Sequence, residues 1–338
     1  MEKVLVTGSE GFIGGYIVKQ LLDKGYEVVG IDNLSKYGKV IRNHSNNKRY
    51  KLHIGDVKDK TQFYNLLKDC DYLIAGAAMI GGISYFHDFA YDLLSENEKI
   101  ISVTTDTAIE CQNNHKLKRT IFLSSSMVFE STDRFPTREE DLFLIPPPES
   151  SYGFQKLSVE YFARAANLQY GLEYSIARPF NCVGVGEIKS INSTEASNEK
   201  KLTLSHVVPD LITKALEGND HIEILGQGNQ IRHYTYGEDL AEGIVSLLKH
   251  PNAKNNDFNL STDESTSVIE LAELIWKKTR DDKFRVKHIE AFKYDVQKRI
   301  PSTKKAKDLL GFEAKTSLND MLDIVIPWIK DATKLGYY

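Results

Sequence analysis

Near its start the chain reads Lys3-Val4-Leu5-Val6-Thr7-Gly8-Ser9-Glu10-Gly11-Phe12-Ile13-Gly14, a short apolar run followed by three regularly spaced glycines. The run Lys3–Val6 predicts a short strand. An amphipathic stretch, Phe12–Lys24, predicts a helix, and Glu27–Asp32 predicts a second strand. Strand, glycine-rich turn, helix and strand make the minimal βαβ unit. Glycines 8, 11 and 14 are spaced G-x-x-G-x-x-G. The first two let the backbone turn tightly and approach a pyrophosphate. The third lets helix and strand pack closely, with the helix N-terminus facing the phosphates. Asp32 ends the second strand, where a carboxylate accepts hydrogen bonds from ribose hydroxyls and repels a 2′-phosphate. The chain continues Asn33-Leu34-Ser35 with no arginine directly after Asp32. NAD is therefore favoured over NADP, although Lys36 and Lys39 are close enough to keep the phosphorylated form open. Asp56, after the third strand, is read either as a partner of the adenine amine or as a solvated loop carboxylate.

The alternation continues along the chain. Tyr50–Ile54, Tyr72–Gly76, Arg119–Ser124 and Glu173–Arg178 read as strands. Lys60–Lys68, Tyr91–Asn114 and Tyr152–Tyr170 read as helices between them. Such alternation implies a parallel sheet covered on both faces, with ligands beyond the carboxyl ends of its strands. After Arg178 the pattern loosens. Gly184–Leu204 is polar and reads as a surface loop or a lid over a substrate. Helical patterns return at Val207–Leu216, Leu240–Leu248, Val268–Thr279 and Leu318–Ile329. The expected division is residues 1–178 for the dinucleotide and 179–338 for a substrate lobe, with some later segments returning to the first unit.

With 338 residues, 41% of them hydrophobic and 27% charged, the composition is that of an ordinary globular protein with a large core. A net charge of −4 gives no polybasic field for nucleic acid or an anionic membrane. Cys70, Cys111 and Cys182 are odd in number and lack a C-x-x-C pair, so neither a disulfide framework nor a zinc ribbon is expected. The first residues run straight into a strand without a signal-like segment, and no apolar run reaches membrane-spanning length. A cytoplasmic setting is expected, and no metal site.

Two further motifs carry chemistry. Ser124-Ser125-Ser126 ends the fifth strand, and Tyr152-Gly153-Phe154-Gln155-Lys156 opens a helix. A free tyrosine, with a pKa of about 10, is a poor base at neutral pH. Lys156 lies one helical turn after Tyr152 and shares its face. A nearby ammonium, with a positive nicotinamide ring, favours phenolate. The phenolate takes a proton from a hydroxyl as hydride leaves carbon. A serine hydroxyl at the strand end bonds the reacting oxygen.

Together these residues resemble the extended short-chain dehydrogenase/reductases, specifically the nucleotide-sugar epimerase and dehydratase group. The resemblance covers nearly the whole chain. It rests on Thr7 to Gly14, Asp32, Asp56-Val57, Ala77-Ala78, Asn97, the serine triplet, Tyr152 with Lys156, and Arg178-Pro179-Phe180-Asn181. Gly226-Gln227-Gly228 with Arg232, and Leu309-Leu310-Gly311-Phe312, complete it. It implies an α/β fold: a Rossmann-type doubly wound parallel sheet with a smaller, mostly helical C-terminal substrate lobe. Ser125, aligned on Val128-Phe129, would be the serine of the catalytic set with Tyr152 and Lys156; Ser124 and Ser126 flank it. NAD would be held by Gly8, Gly11, Phe12, Ile13, Gly14, Asp32, Asn33, Asp56, Val57, Ala77, Ala78, Asn97, Tyr152, Lys156 and Pro179. The substrate would meet Gly82, Ser126, Met127, Asn181, His206, Val207, Arg232 and Arg299, the two arginines on its diphosphate.

The departures from the group narrow the chemistry. Members that dehydrate or decarboxylate carry an acid two positions after the catalytic serine, and GDP-sugar enzymes that invert C3 and C5 carry a cysteine there. Met127 can transfer no proton. Arg299-Ile300-Pro301-Ser302 lacks the aspartate usual just after the arginine. In the other direction, Ala78-Met79-Ile80-Gly81-Gly82-Ile83 and Ser205-His206-Val207-Val208-Pro209 resemble segments of the GDP-sugar branch, where His206 would be the second epimerase residue. Inversion at C4 through a transient 4-keto sugar needs only Ser125, Tyr152, Lys156 and NAD, and is preferred on parsimony. A GDP-sugar epimerase or reductase and a nucleotide-sugar 4-dehydrogenase stay open. An NAD-binding protein without catalysis is opposed by the intact serine, tyrosine and lysine. Many relatives pair into homodimers through the two long helices that follow the fourth and fifth strands. Here those would be Tyr91–Asn114 and Tyr152–Tyr170, with Val103, Ala108, Phe162 and Ala166 facing either a partner or the sheet.

Overall fold

The computed structural model describes residues 1–40, 42–80, 89–187, 206–290 and 296–336. Strand β1 (Lys3–Thr7) leads through the glycine turn into helix α1 (Phe12–Asp23) and then β2 (Glu27–Asp32). Next come β3 (Tyr50–Ile54), α2 (Lys60–Leu67), β4 (Tyr72–Ala75), α3 (Ala90–Asn114), β5 (Arg119–Leu123), α4 (Ser151–Tyr170), β6 (Tyr174–Pro179) and β7 (Asn256–Leu260). Among the described residues these seven strands form one parallel sheet in the order β7-β6-β5-β4-β1-β2-β3. The order reverses direction at β1 and β4, so their carboxyl ends frame the crevice in which such sheets bind ligands.

Each face of the sheet has its own apolar layer. One joins α1 to Val4, Val6, Val28, Ile74 and Ile121, and extends to Leu240, Ile244, Phe258 and Ala306 from far along the chain. The other joins α2, α3 and α4 to Leu5, Ile31, Leu73, Phe122 and Ile176. Ala108 and Ala166 are buried in this second layer, and Val103 and Phe162 pack against it. Those four side chains therefore serve the sheet. On α4 the outward stripe is instead Phe154, Tyr161 and Leu168, spaced by seven and 48%, 58% and 90% exposed.

The lobe has a separate core. Helices Val207–Leu216, Val268–Thr279 and Leu318–Lys334 gather around Trp276, Ile222 and Ile224. The last helix was expected to stop at Ile329. It contains Pro327 and runs on to Lys334, with Ala332 buried beyond Ile329; tertiary packing outweighs the amide missing at Pro327. Strand β7 went unread in the sequence. In Asn-Asp-Phe-Asn-Leu only Phe258 and Leu260 are apolar, while Asp257 and Asn259 are buried polar residues with partners. No described helix is long and apolar enough to cross a membrane.

Candidate active site

The glycine turn is shaped by contact. Gly8 has φ +71°, and a Cβ there would lie 3.1 Å from the Ala77 backbone. A Cβ on Gly14 would lie 2.0 Å from the Gly8 carbonyl oxygen. Thr7 fixes the facing loop, its Oγ1 accepting from the amides of Gly76 and Ala77 at 3.0 Å each. Helix α1 starts after Gly11 with no side-chain cap, whereas α2 and α4 are capped by Asp59 and Ser150. Its first amides therefore face the turn without an internal acceptor.

Asp32 stands at the end of β2. Its oxygens accept from the Glu10 amide (2.9 Å) and the Leu34 amide (2.8 Å), and a carboxylate has about four acceptor positions. Acceptor capacity for a ribose diol is left over. Asn33 Nδ2 donates to Asp56 at 3.4 Å, bringing those two polar groups together. Val57 is buried in the sheet layer, and Phe12 is buried with Ile13 packed beside it on the other face. Asn97 spends both amide groups on the Met79 backbone, at 2.7 and 2.9 Å, and so holds the loop that carries Ala77 and Ala78. Pro179 ends β6 beside Leu260. Glycine cradle, uncapped helix start and Asp32 fit a dinucleotide. Asp32→Ala should narrow the gap between NAD⁺ and NADP⁺ affinities. A wild-type protein that already prefers NADP⁺ in titration calorimetry would refute this role for Asp32.

Sequence reading missed Arg42 on the β2–β3 connection. Its Nη2 donates to the Glu10 carbonyl at 2.6 Å, and its side chain lies against Gly15. A lone arginine far from any motif gave no signal in the sequence.

Across the crevice, Ser125 caps the short turn Ser126–Phe129, its Oγ accepting from the Met127 amide at 3.2 Å. The same hydroxyl is hydrogen-bonded to the Tyr152 phenol. Tyr152 follows the Ser150 cap at the start of α4, and Lys156 lies one turn on. Lys156 Nζ donates to the Leu123 carbonyl at 3.0 Å and lies 6.0 Å from the centre of the Tyr152 ring. Burial pushes the Tyr152 phenol up, while the Ser125 bond and the charge of Arg299 pull it down. Burial pushes the Lys156 ammonium down to about 8. Besides Lys156, the charge of Arg299 bears on Tyr152, a relation the sequence did not suggest. Met127 is buried in one apolar cluster with Tyr152 and Leu93.

Strand pairing brings the two arginines together: the Arg299 amide donates to the Ile231 carbonyl at 3.1 Å, beside Arg232. Arg299 also lines a small cavity with Ser126, Glu130, Thr132 and Lys298. Asn181, at φ +34°, donates from its amide to the His233 carbonyl at 3.2 Å. His206 precedes helix Val207–Leu216 and its Nδ1 pairs with the buried Glu187. Burial works to raise Glu187, yet His206 and Lys36 outweigh it and hold the carboxyl below its usual range. Val207 packs on the lobe core. Gly82 and most of the Gly184–Leu204 segment lie outside the described residues. Among the described residues no cluster of three or more His, Cys, Asp or Glu side chains could hold a metal ion.

The sequence model of the NAD dependent epimerase/dehydratase family matches residues 4–261. A UDP-glucose 4-epimerase of Halalkalibacterium halodurans is 26% identical over 348 residues, spanning 97% of this chain and 96% of that protein. The solved UDP-glucose 4-epimerase of Thermotoga maritima, with UDP-glucose, superposes with a TM-score of 0.82 at 27% identity, covering 98% of this chain and 99% of that one. A UDP-glucuronic acid 4-epimerase of Bacillus cereus, solved with UDP-glucuronic acid and NAD, gives a TM-score of 0.82 at 25% identity, covering 97% and 99%.

Proposed function

We propose that this chain, which belongs to the NAD dependent epimerase/dehydratase family and has NAD as its cofactor, inverts a nucleotide sugar at C4. The observation that carries this reading is the composition of the buried set: Ser125 bonded to Tyr152, Lys156 beneath it, and apolar Met127 packed where other chemistries need a proton carrier. When bound, NAD takes and returns the hydride. Tyr152 takes the proton of the 4-hydroxyl and gives it back after the ketone has turned over. Ser125 bonds the same oxygen and keeps the phenol in line. Lys156 is fixed by the Leu123 carbonyl at the end of β5. Arg232 and Arg299 would meet the diphosphate, with Asn181 beside it. The uridine nucleotides bound by the solved relatives are the first candidates. A panel of UDP-, GDP-, CDP- and dTDP-sugars, with product stereochemistry read by NMR, tests the reading; net NADH formation without an inverted product would replace it with a dehydrogenase.

A second test addresses His206. In C4 inversion no proton leaves carbon, so product formed in D₂O should carry no deuterium at C3 or C5. His206→Asn should chiefly raise KM. Stoichiometric deuterium at either carbon, abolished by His206→Asn, would move the chain to the GDP-sugar branch and defeat the C4-only route.

The working unit in this reading is a homodimer closed over the outward stripe of α4. Tyr161→Glu should convert the sedimentation profile from dimer to monomer with the fold intact. A wild-type protein sedimenting as a monomer would remove the dimer.

A further inference from the structure

Tyr152, Lys156, Glu160 and Arg164 are spaced by four along α4 and form a single stripe. The first two belong to the proposed catalytic set. The third is a carboxylate with no access to solvent, and nothing in the reaction consumes it. Glu160 is gripped by Arg178 of β6 through two bonds of 2.6 Å, Nε to Oε1 and Nη2 to Oε2. Arg178 reaches on to Asp257 of β7 at 2.5 Å, and Lys305 and Arg164 join Asp257 at 2.9 and 3.3 Å. Burial works to raise the Asp257 carboxyl, but Arg178, Lys305 and Arg164 outweigh it and hold it well below the usual carboxylate range.

A buried ion pair is a poor source of net stability, because desolvation offsets its attraction. Its value here lies in direction. Ser124 donates from Oγ to Glu160 Oε1 at 2.7 Å, and its amide is held by the Ala177 carbonyl at 2.9 Å. Neighbouring residues at a strand end point to opposite sides. Ser124 therefore faces the charged network while Ser125 faces Tyr152. The bond Ser124–Glu160 and the bond Ser125–Tyr152 span the same two elements, the end of β5 and α4, eight residues apart on the helix. One fastens what the other uses.

We propose, resting on the reading of Tyr152 as the base, that Glu160 is a positioning residue: held by Arg178, it sets through Ser124 the register between the serine and tyrosine of the reacting pair. Misplacement of a reacting group by about 1 Å costs on the order of 10²-fold, so a hydroxyl two bonds from the backbone matters to rate without touching substrate.

The test is Ser124→Ala in the NAD-loaded protein, with UDP-glucose or the panel sugar that turns over fastest. Expected is a fall in kcat of about ten- to a hundredfold, with KM and NAD affinity within about twofold. The Ser125 bond favours phenolate, so loosening it should also move the ascending, low-pH limb of the kcat–pH profile to higher pH. Ser124→Thr, which restores the hydroxyl, should recover both. Ser124→Cys, of similar size with a weaker donor, should show the same shifts in smaller measure and carries the test if the alanine variant does not fold. A lower melting temperature with kcat and the pH limb unchanged would overturn the proposal. Tyr152→Phe run alongside separates the failures: if it is inactive while Ser124→Ala is wild-type, the positioning role alone falls; if it is active, both fall.

Discussion

Tyr152→Phe is expected to reduce turnover by about 10²–10⁴-fold while NAD and nucleotide-sugar binding stay near wild-type values. The substitution deletes a single oxygen. The ring stays buried in its cluster with Met127 and Leu93, and Ser125 keeps the Met127 amide as a partner. What disappears is the group that exchanges the proton in the proposed route, in a site where Lys156 donates to the Leu123 carbonyl and Met127 can carry no proton. Turnover by the wild type should rise with pH as the phenol ionises, because burial raises its pKa more than Ser125 and Arg299 lower it. Single-turnover absorbance of the nicotinamide, beside calorimetric binding, separates chemistry from affinity. Wild-type turnover in the variant would place the base elsewhere.

Gly14→Ala should abolish NAD retention and destabilise the fold by about 1–3 kcal/mol. The added methyl would stand 2.0 Å from the Gly8 carbonyl oxygen and 3.1 Å from Ser9 Cα. Both obstacles are backbone, so no side-chain rotation relieves them. Either the turn opens or α1 moves away from β1, and each movement disturbs the surface offered to the pyrophosphate. α1 packs Ile17, Val18, Leu21 and Leu22 into the first sheet layer, which would lose its fit along the helix. Titration calorimetry with NAD⁺ and a thermal melt would register both effects. A variant that binds NAD⁺ like the wild type and melts unchanged would show that the close approach is not required.

The sequence carried the nucleotide half of the molecule because its signals are local. Glycines 8, 11 and 14 are three apart, Asp32 closes the next strand, and Tyr152 and Lys156 share one helical turn. Spacing of that kind is set by backbone geometry and survives without knowledge of the rest of the chain. The period of the apolar residues announced six of the seven strands for the same reason. What the sequence left undecided depends on residues far apart meeting. The segment around Asp257 and Asn259 went unread in the sequence; only in the fold does β7 become a buried strand with Arg178 and Thr137 as partners for those side chains. Glu160 drew no reading from the sequence, and its role rests on β6 bringing Arg178 to it. Arg299, 147 residues from Tyr152 in sequence, bears on the phenol because Lys298 pairs with Ile231 at the mouth of the crevice. Local spacing determined which groups this protein offers for chemistry, and the tertiary structure alone decided which buried charges hold them in place, since burial and long-range pairing are properties of the packed chain.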